Sequence, residues 1–276
     1  MQENTNFQNN EILDLTWACY LAFCQQRAVS ELVSFNTMGD FFYFSSKQIV
    51  SSTFNNILIP FFLNHIDIDS LQHVISSYKG LPLCMIEYSQ VTSTNKLKRF
   101  FKTYSARNRH PYYLGFRTLT DYQHEELPWI KNVSYRFATT ESVVKDWVEL
   151  QALRNDLTDS HTKEILFKLY LELLNRHLPF HYLVIYKNDK PIHASIVFIH
   201  KNMAYLGLAY TVPSARGKGI QMLSQKIRLQ FAVEQRCEIA TIIANIQSKK
   251  NILRNSFEIT HSFFETTIDL SNFSIL

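Results

Sequence analysis

Two of only 6 glycines in 276 residues stand one position apart, Gly217 and Gly219, within the stretch YTVPSARGKGIQMLSQKI at 210–227. The residues before them, 203–212, alternate as a strand. From Ile220 the apolar residues Ile220, Leu223, Ile227 and Phe231 recur three and four apart, the spacing of one helical face. A strand that runs through a glycine turn straight into a helix start leaves several backbone N–H groups unpaired and aimed one way. The helix dipole adds roughly half a positive charge there, so the arrangement is an anion site. Glycines let the main chain approach the ligand, and Arg216 and Lys218 add charge at the rim. The chemistry expected is phosphate binding. The spacing matches neither the Walker loop G-x-x-x-x-G-K-[ST] nor the dinucleotide loop G-x-G-x-x-G, so both nucleotide readings fail.

The elements that position this turn follow from periodicity. Past a polar, proline-containing linker at 123–132 come a strand at 133–138 and a helix at 139–155 with Val143, Val144, Trp147, Leu150 and Leu153 on one face. A second helix lies at 163–177. Strands at 181–186, 191–200 and 203–212 are joined by turns too short for anything but antiparallel hairpins. After the quoted helix, in which Lys226, Arg228 and Gln230 are expected to face water, a short buried strand at 238–244, a final helix and a closing strand complete the order. Before the linker, the same reading gives an N-terminal helix or helix pair over 11–33 and a strand at 40–50. It continues with a helix capped by Asp67 or Asp69 and stopped at Gly80, a strand at 82–88, a basic helix over 94–104 and a strand from about 110.

Residues 211–221, Thr-Val-Pro-Ser-Ala-Arg-Gly-Lys-Gly-Ile-Gln, resemble the signature R/Q-x-x-G-x-G/A of the GNAT superfamily of acyl-CoA-dependent N-acetyltransferases, and the resemblance extends over about 133–270. It implies an α/β (α+β) fold with a mixed, mostly antiparallel sheet flanked by helices. The cosubstrate implied is acetyl-CoA. Its pyrophosphate would be held by Arg216, Gly217, Lys218, Gly219, Ile220 and Gln221, and its pantetheine arm by the strand end Ala209, Tyr210 and Thr211. The family's asparagine after the next strand falls on Asn245. A tyrosine that protonates the departing thiolate in many relatives is Ile252 here, and the small residue after the second glycine is Gln221. The reaction implied is direct transfer, in which a neutral amine attacks the thioester and a strand N–H polarises the oxyanion. A free alkyl amine has a pKa near 10.4, so a proton acceptor must stand close by. His193, Tyr210, Glu149 and Asp156 are the candidates. Each also has a plain structural reading: a hydrogen-bonded strand histidine, a sheet aromatic, and helix-surface carboxylates. A non-catalytic acyl-CoA-binding or effector module is the alternative that Ile252 and Gln221 leave open.

Helix, small residue, phenylalanine and strand occur both before 122 and at 253–267, so the first half echoes the second. With no R-x-x-G-x-G/A before residue 130, it is read as a GNAT-like domain over 1–128 without a cofactor loop, walling the acceptor cleft or mediating pairing, followed by the acetyltransferase domain over 129–276. Apolar residues at 46%, charged residues at 19% and 21 Phe supply two cores with no disorder signature. No apolar run approaches the roughly 20 residues of a membrane span and the N-terminus lacks a leader pattern, so a cytoplasmic protein is expected, with no membrane partner. Cys19, Cys24, Cys84 and Cys237 show no zinc or redox spacing and are read as reduced thiols, and no metal is expected. A net charge of +4 favours anionic ligands. The basic residues over 96–109 interleave with Phe100, Phe101 and Tyr104, yet the aromatics fall where a core stripe would put them, so a solvated amphipathic helix is favoured over nucleic-acid binding. The expected partner is an amine, on a small molecule or a protein, bound by a monomer or homodimer.

Overall fold

Among the described residues, eleven strands join in one continuous sheet. The structure, a computed structural model, describes residues 9–49, 51–60, 63, 66–78, 83–89, 95–103 and 107–270. The first half supplies α1 (Asn9–Arg27), β1 (Ser34–Met38), β2 (Phe41–Ser45), β3 (Asn56–Leu58), α2 (Ile68–Ser76), β4 (Leu83–Ser89), α3 (Asn95–Thr103) and β5 (Arg107–Thr118). The second supplies β6 (Val133–Phe137), α4 (Glu141–Arg154), α5 (Ser160–Asn175), β7 (Phe180–Lys187), β8 (Lys190–His200), β9 (Met203–Thr211), α6 (Ile220–Glu234), β10 (Ile239–Asn245), α7 (Lys249–Arg254) and β11 (Glu258–Asp269).

Three strands, a helix, a strand, a helix and a strand thus occur twice, as β1 to β5 and as β7 to β11. The echo between helix and closing strand in the two halves is this repeat. Every pairing is antiparallel except β3 with β4 and β9 with β10, which occupy equivalent places in the two runs. The sheet is therefore mixed and mostly antiparallel, as the sequence implied. The closing strands are exchanged. β5 pairs with β10 from Ile239↔Thr118 to Asn245↔Tyr112, β11 pairs with β4 from Phe263↔Ser89 to Asp269↔Leu83, and β5 and β11 lie side by side at the centre. Hydrogen bonds consequently run unbroken across the linker at 123–132.

Several expectations are corrected. The strand expected at 40–50 is β2, with β1 folded back on it about Gly39 at φ 54°. β1 is an edge strand with mostly exposed side chains and lacks the apolar alternation that would reveal it. Of the basic segment over 96–109, α3 carries the residues up to Thr103. Arg107 and Arg109 lie on β5, where Pro111 biases the preceding residue toward extended backbone. Asp67 does cap α2, accepting from the Asp69 amide at 3.1 Å, whereas Gly80, Pro82 and Tyr104 lie outside the described residues. Arg228 on α6, expected in water, is fully buried, because the strip of α6 beside its apolar stripe also packs inward. Its Nε donates to the Ser224 carbonyl and its Nη1 to that of Ile196, both at 3.3 Å. Lys226 and Gln230 do lie toward the surface, held by the Glu125 carboxylate and carbonyl respectively.

The core that supports the second half centres on Trp147, with ring centroids 4.6 Å from Tyr170 and 4.9 Å from Tyr182. Cys19, Cys24 and Cys237 are buried thiols, and burial pushes Cys19 up to about 12. Among the described residues no helix is long and apolar enough to cross a membrane, and no three His, Cys, Asp or Glu stand together to hold a metal.

Candidate active site

A break in the sheet creates the site. β9 pairs with β10 only from Ile239↔Met203 to Ile242↔Leu206, and beyond Leu206 the two strands part. The cause is a bulge where the register between β8 and β9 shifts between Ala194 and Ile196, with Leu208 in the left-handed region at φ 50°. A bulge frees carbonyls, and α4 takes them up. Trp147 Nε1 donates to the Ser195 carbonyl at 2.8 Å, and one helical turn later Gln151 Nε2 donates to the Leu208 carbonyl at 2.7 Å. Gly207 has no alternative here, since a Cβ would collide with the Tyr205 ring. Gln151→Leu keeps the volume but leaves a buried carbonyl unpaired, so urea unfolding is expected to show a loss of about 1–3 kcal/mol.

The parted strands open a cavity of about 750 Å³, with residues 207–211 on one wall and 242–245 on the other. The turn 215–222 lies at one end. At the other stand Tyr20, Phe23 and Arg27 of α1, Phe44 of β2 and Glu265 of β11, so the first half walls that end.

The glycine turn has the geometry the sequence implied. A short 3-10 turn, Pro213–Ala215, leads into Gly217 at φ 72° and Gly219 at φ 77°, a region that penalises residues with a Cβ, and Gly219 is the N-cap of α6. No backbone N–H from Gly217 to Met222 meets an acceptor among the described residues. Arg216 Nε donates to the Thr211 carbonyl at 3.1 Å with its guanidinium over the Tyr210 ring, and Lys218 Nζ donates to the Ser214 carbonyl at 2.7 Å. Both cations are thereby held at the rim. The Gln221 side chain accepts from Asn251 Nδ2 at 2.7 Å, which draws it toward α7. Asn245 Oδ1 accepts from the Ser248 amide at 3.0 Å and its hydroxyl at 2.7 Å, shaping the entry to α7. The equivalent helix start in the first half, α2, is closed by the Asp67 carboxylate, which also accepts from the Ser70 hydroxyl at 2.6 Å.

No family model and no curated protein matches the chain. Solved structures do. A GCN5-related N-acetyltransferase from Kribbella flavida superposes with TM-score 0.60 at 11% identity, covering 91% of this chain and 95% of its own. One from Sphaerobacter thermophilus gives 0.58 at 12%, covering 96% and 93%. A tandem GNAT protein from the clavulanic acid biosynthesis pathway gives 0.56 at 9%, covering 99% and 98%. This chain has the GNAT fold. At such identities the likeness concerns the backbone, and the side chains of this GNAT cleft have to be read from the chain itself.

Of the proton acceptors considered, the fold brings Tyr210 and His193 to the cleft and leaves two outside. Glu149 faces outward beside Lys163 Nζ at 2.9 Å, and Asp156 is exposed in the turn after α4; neither lines the cavity. His193 is fully buried, with Nδ1 2.8 Å from the Thr211 hydroxyl. Burial, then the nearby Arg228, depresses it to about 3, so at neutral pH it is an uncharged imidazole and a poor base. The same burial lowers Arg228 to about 9. Ile252, at the position of the family's tyrosine, is the buried residue of α7 and presents only an apolar side chain to the cavity it helps line.

Two charged groups outside those candidates line the same cavity. Glu265 has its carboxyl raised by burial to about 7, while a Tyr112 hydrogen bond and the Arg154 charge act in the opposite direction. Its signal was the closing strand, where Glu265 stands two residues past the buried Phe263 and so on the same face. Arg27 is 3% exposed, and among the described residues its Nε and Nη2 have no hydrogen-bond partner. Its guanidinium lies 4.3 Å from the Phe54 ring centroid and 5.3 Å from that of Phe23. Its signal was the stripe Cys19, Phe23, Arg27, which continues at four-residue steps and ends on a charge.

Proposed function

We propose that the chain is an acetyl-CoA-dependent N-acetyltransferase that moves an acetyl group directly to an amine. The observation that carries this reading is the row of unpaired amides from Gly217 to Met222, opening into a cleft between parted strands. Arg216 to Gln221 would hold the diphosphate, with the Gln221 side chain tied back by Asn251. The free edge of β9 at Ala209, Tyr210 and Thr211 offers backbone groups to the pantetheine arm. Three further buried atoms on the lining residues, His193 Nε2, Gln225 Nε2 and Arg228 Nη2, lack partners among the described residues.

The cosubstrate supplies an acyl group on a thiol whose pKa resembles that of cysteine, about 8.5, and which leaves readily. This chain supplies the proton handling. Glu265, poised near neutrality at the far end, accepts the proton of the attacking amine. Tyr210 offers the hydroxyl in the cleft, a role that buried Ile252 cannot take. His193 stays neutral and orients the Thr211 end of β9 through its bond to the Thr211 hydroxyl. Asn245 shapes the opposite wall. The first half, whose α2 is closed by Asp67, contributes the wall around the acceptor.

Acetyl-CoA at about 100 times its dissociation constant should stabilise the fold by about 2.7 kcal/mol, a thermal shift of roughly 5 °C or more, and a panel of amines should release free coenzyme A. No shift would end the reading. A shift without release for any amine would favour the non-catalytic acyl-CoA-binding alternative, which the apolar Ile252 position supports.

A further inference from the structure

Among the described residues that line the cavity, Glu265 is the single carboxylate, and two arginines, Arg27 and Arg154, line it as well. Arg154 acts on Glu265 directly. No carboxylate among the described residues pairs with Arg27. The faces of Phe23, Phe44 and Phe54 and the negative end of α1 attract its guanidinium, but none of these is a full countercharge. The unpartnered Nε and Nη2 are the two N–H groups of one guanidinium edge, the fork that grips a carboxylate with two parallel hydrogen bonds. A buried, unpaired cation on the wall of a substrate cavity calls for an anion on the ligand. An alkyl diamine would instead meet Arg27 and Arg154 as a like charge.

We propose that the acceptor is an amine that also carries a carboxylate, with Arg27 binding the carboxylate while Glu265 receives the amine's proton. This rests on the acetyltransferase reading above. In the transfer the amine nitrogen bonds to the acyl carbon as the C–S bond breaks. One amine proton passes to Glu265, and the thiolate takes up a proton to become free coenzyme A, so an N-acylated acid and a thiol account for every atom. Tyr20, Phe23 and Phe44 around the site suit an amino acid with an apolar side chain.

The test compares L-phenylalanine, L-phenylalaninamide, phenethylamine and O-phosphoethanolamine by thermal shift, with and without coenzyme A, and by coenzyme A release from acetyl-CoA. Wild type is expected to prefer phenylalanine over its carboxamide by roughly 30-fold or more in kcat/KM, with a matching difference in stabilisation. In Arg27→Met that preference should fall to near unity while acetyl-CoA affinity stays within about 2-fold, because the cosubstrate's own loop is untouched. Arg27→Lys, which keeps the charge and loses the fork, guards against misfolding and should retain an intermediate preference. Equal response to carboxamide and carboxylate, a stronger response to O-phosphoethanolamine, no stabilisation by phenylalanine at all, or a preference that survives in Arg27→Met would overturn the proposal. The thermal shift with phenylalanine reads Arg27 by itself, whereas loss of acetyl-CoA binding in wild type would strike the transferase reading.

Discussion

Gly219→Glu is expected to abolish acetyl-CoA binding and leave the fold standing. Gly219 sits at φ 77°, so any residue with a Cβ costs about 1–2 kcal/mol there, but the Cβ itself has room, its nearest neighbour being Ile130 Cδ1 at 3.9 Å. A carboxylate at a helix N-cap recovers about 0.3–1 kcal/mol from the dipole, so the net loss of stability stays near 1 kcal/mol. Binding suffers far more. The new carboxylate would stand among the amides of Gly217 to Met222, occupy the donors meant for the diphosphate and repel it; at an effective dielectric near 20, two charges 4 Å apart interact by about 4 kcal/mol. The dissociation constant for acetyl-CoA should therefore rise by at least about 100-fold. Gly219→Ala adds only the backbone cost, which the free and bound protein share, and should leave the dissociation constant within about 3-fold while lowering stability by about 1–2 kcal/mol. Isothermal titration on the three proteins, with urea unfolding as the control for folding, reads both effects. Unchanged affinity in Gly219→Glu would place the diphosphate elsewhere.

What was legible in the sequence was local. Helices α4 to α6 and strands β7 to β9 announce themselves by spacing and by short turns, and the glycine turn between β9 and α6 is a stretch of chain whose geometry its own residues dictate. The exchange of β5 and β11 is different in kind. It pairs Tyr112 with Asn245 and Phe263 with Ser89, contacts distant in sequence for which no short window carries a signal. The bulge at Leu208 was hidden for a related reason: its partners Trp147 and Gln151 lie some sixty residues earlier, on a helix where they read only as one more aromatic and one more polar side chain. Charge burial was the remaining gap. Periodicity sorts a helix into an apolar face and a wet one, which puts Arg228 in water, makes Glu149 a candidate and singles out neither Arg27 nor Glu265. In the folded chain Arg228 finds two carbonyls, Arg27 three phenyl rings and Glu265 a cavity, while Glu149 finds Lys163 at the surface.

Glu265→Gln should lower kcat by about 10²–10⁴-fold and remove the acidic limb of the pH–rate profile. The base works only when ionised. With its carboxyl raised from 4.5 to about 7, wild-type activity is expected to climb through neutral pH and level off above it. The glutamine variant, with nothing to ionise at that position, should be flat over the same range. Arg154→Ala removes a charge that holds the carboxyl down, so the limb should move to higher pH, a shift that mere structural damage would not produce. Stability gives an independent reading with the opposite trend. Folding favours the neutral form of Glu265, so the native state binds more protons than the unfolded chain between about 4.5 and 7. The contribution of this group is greatest below 4.5, is lost as the pH rises through that window, and stays lost above it. Glu265→Gln should accordingly match wild type in urea unfolding at pH 4 and exceed it at pH 8. Rate and stability then respond to one proton in opposite directions, and a variant that lost both together would mark Glu265 as a packing residue with no part in the chemistry.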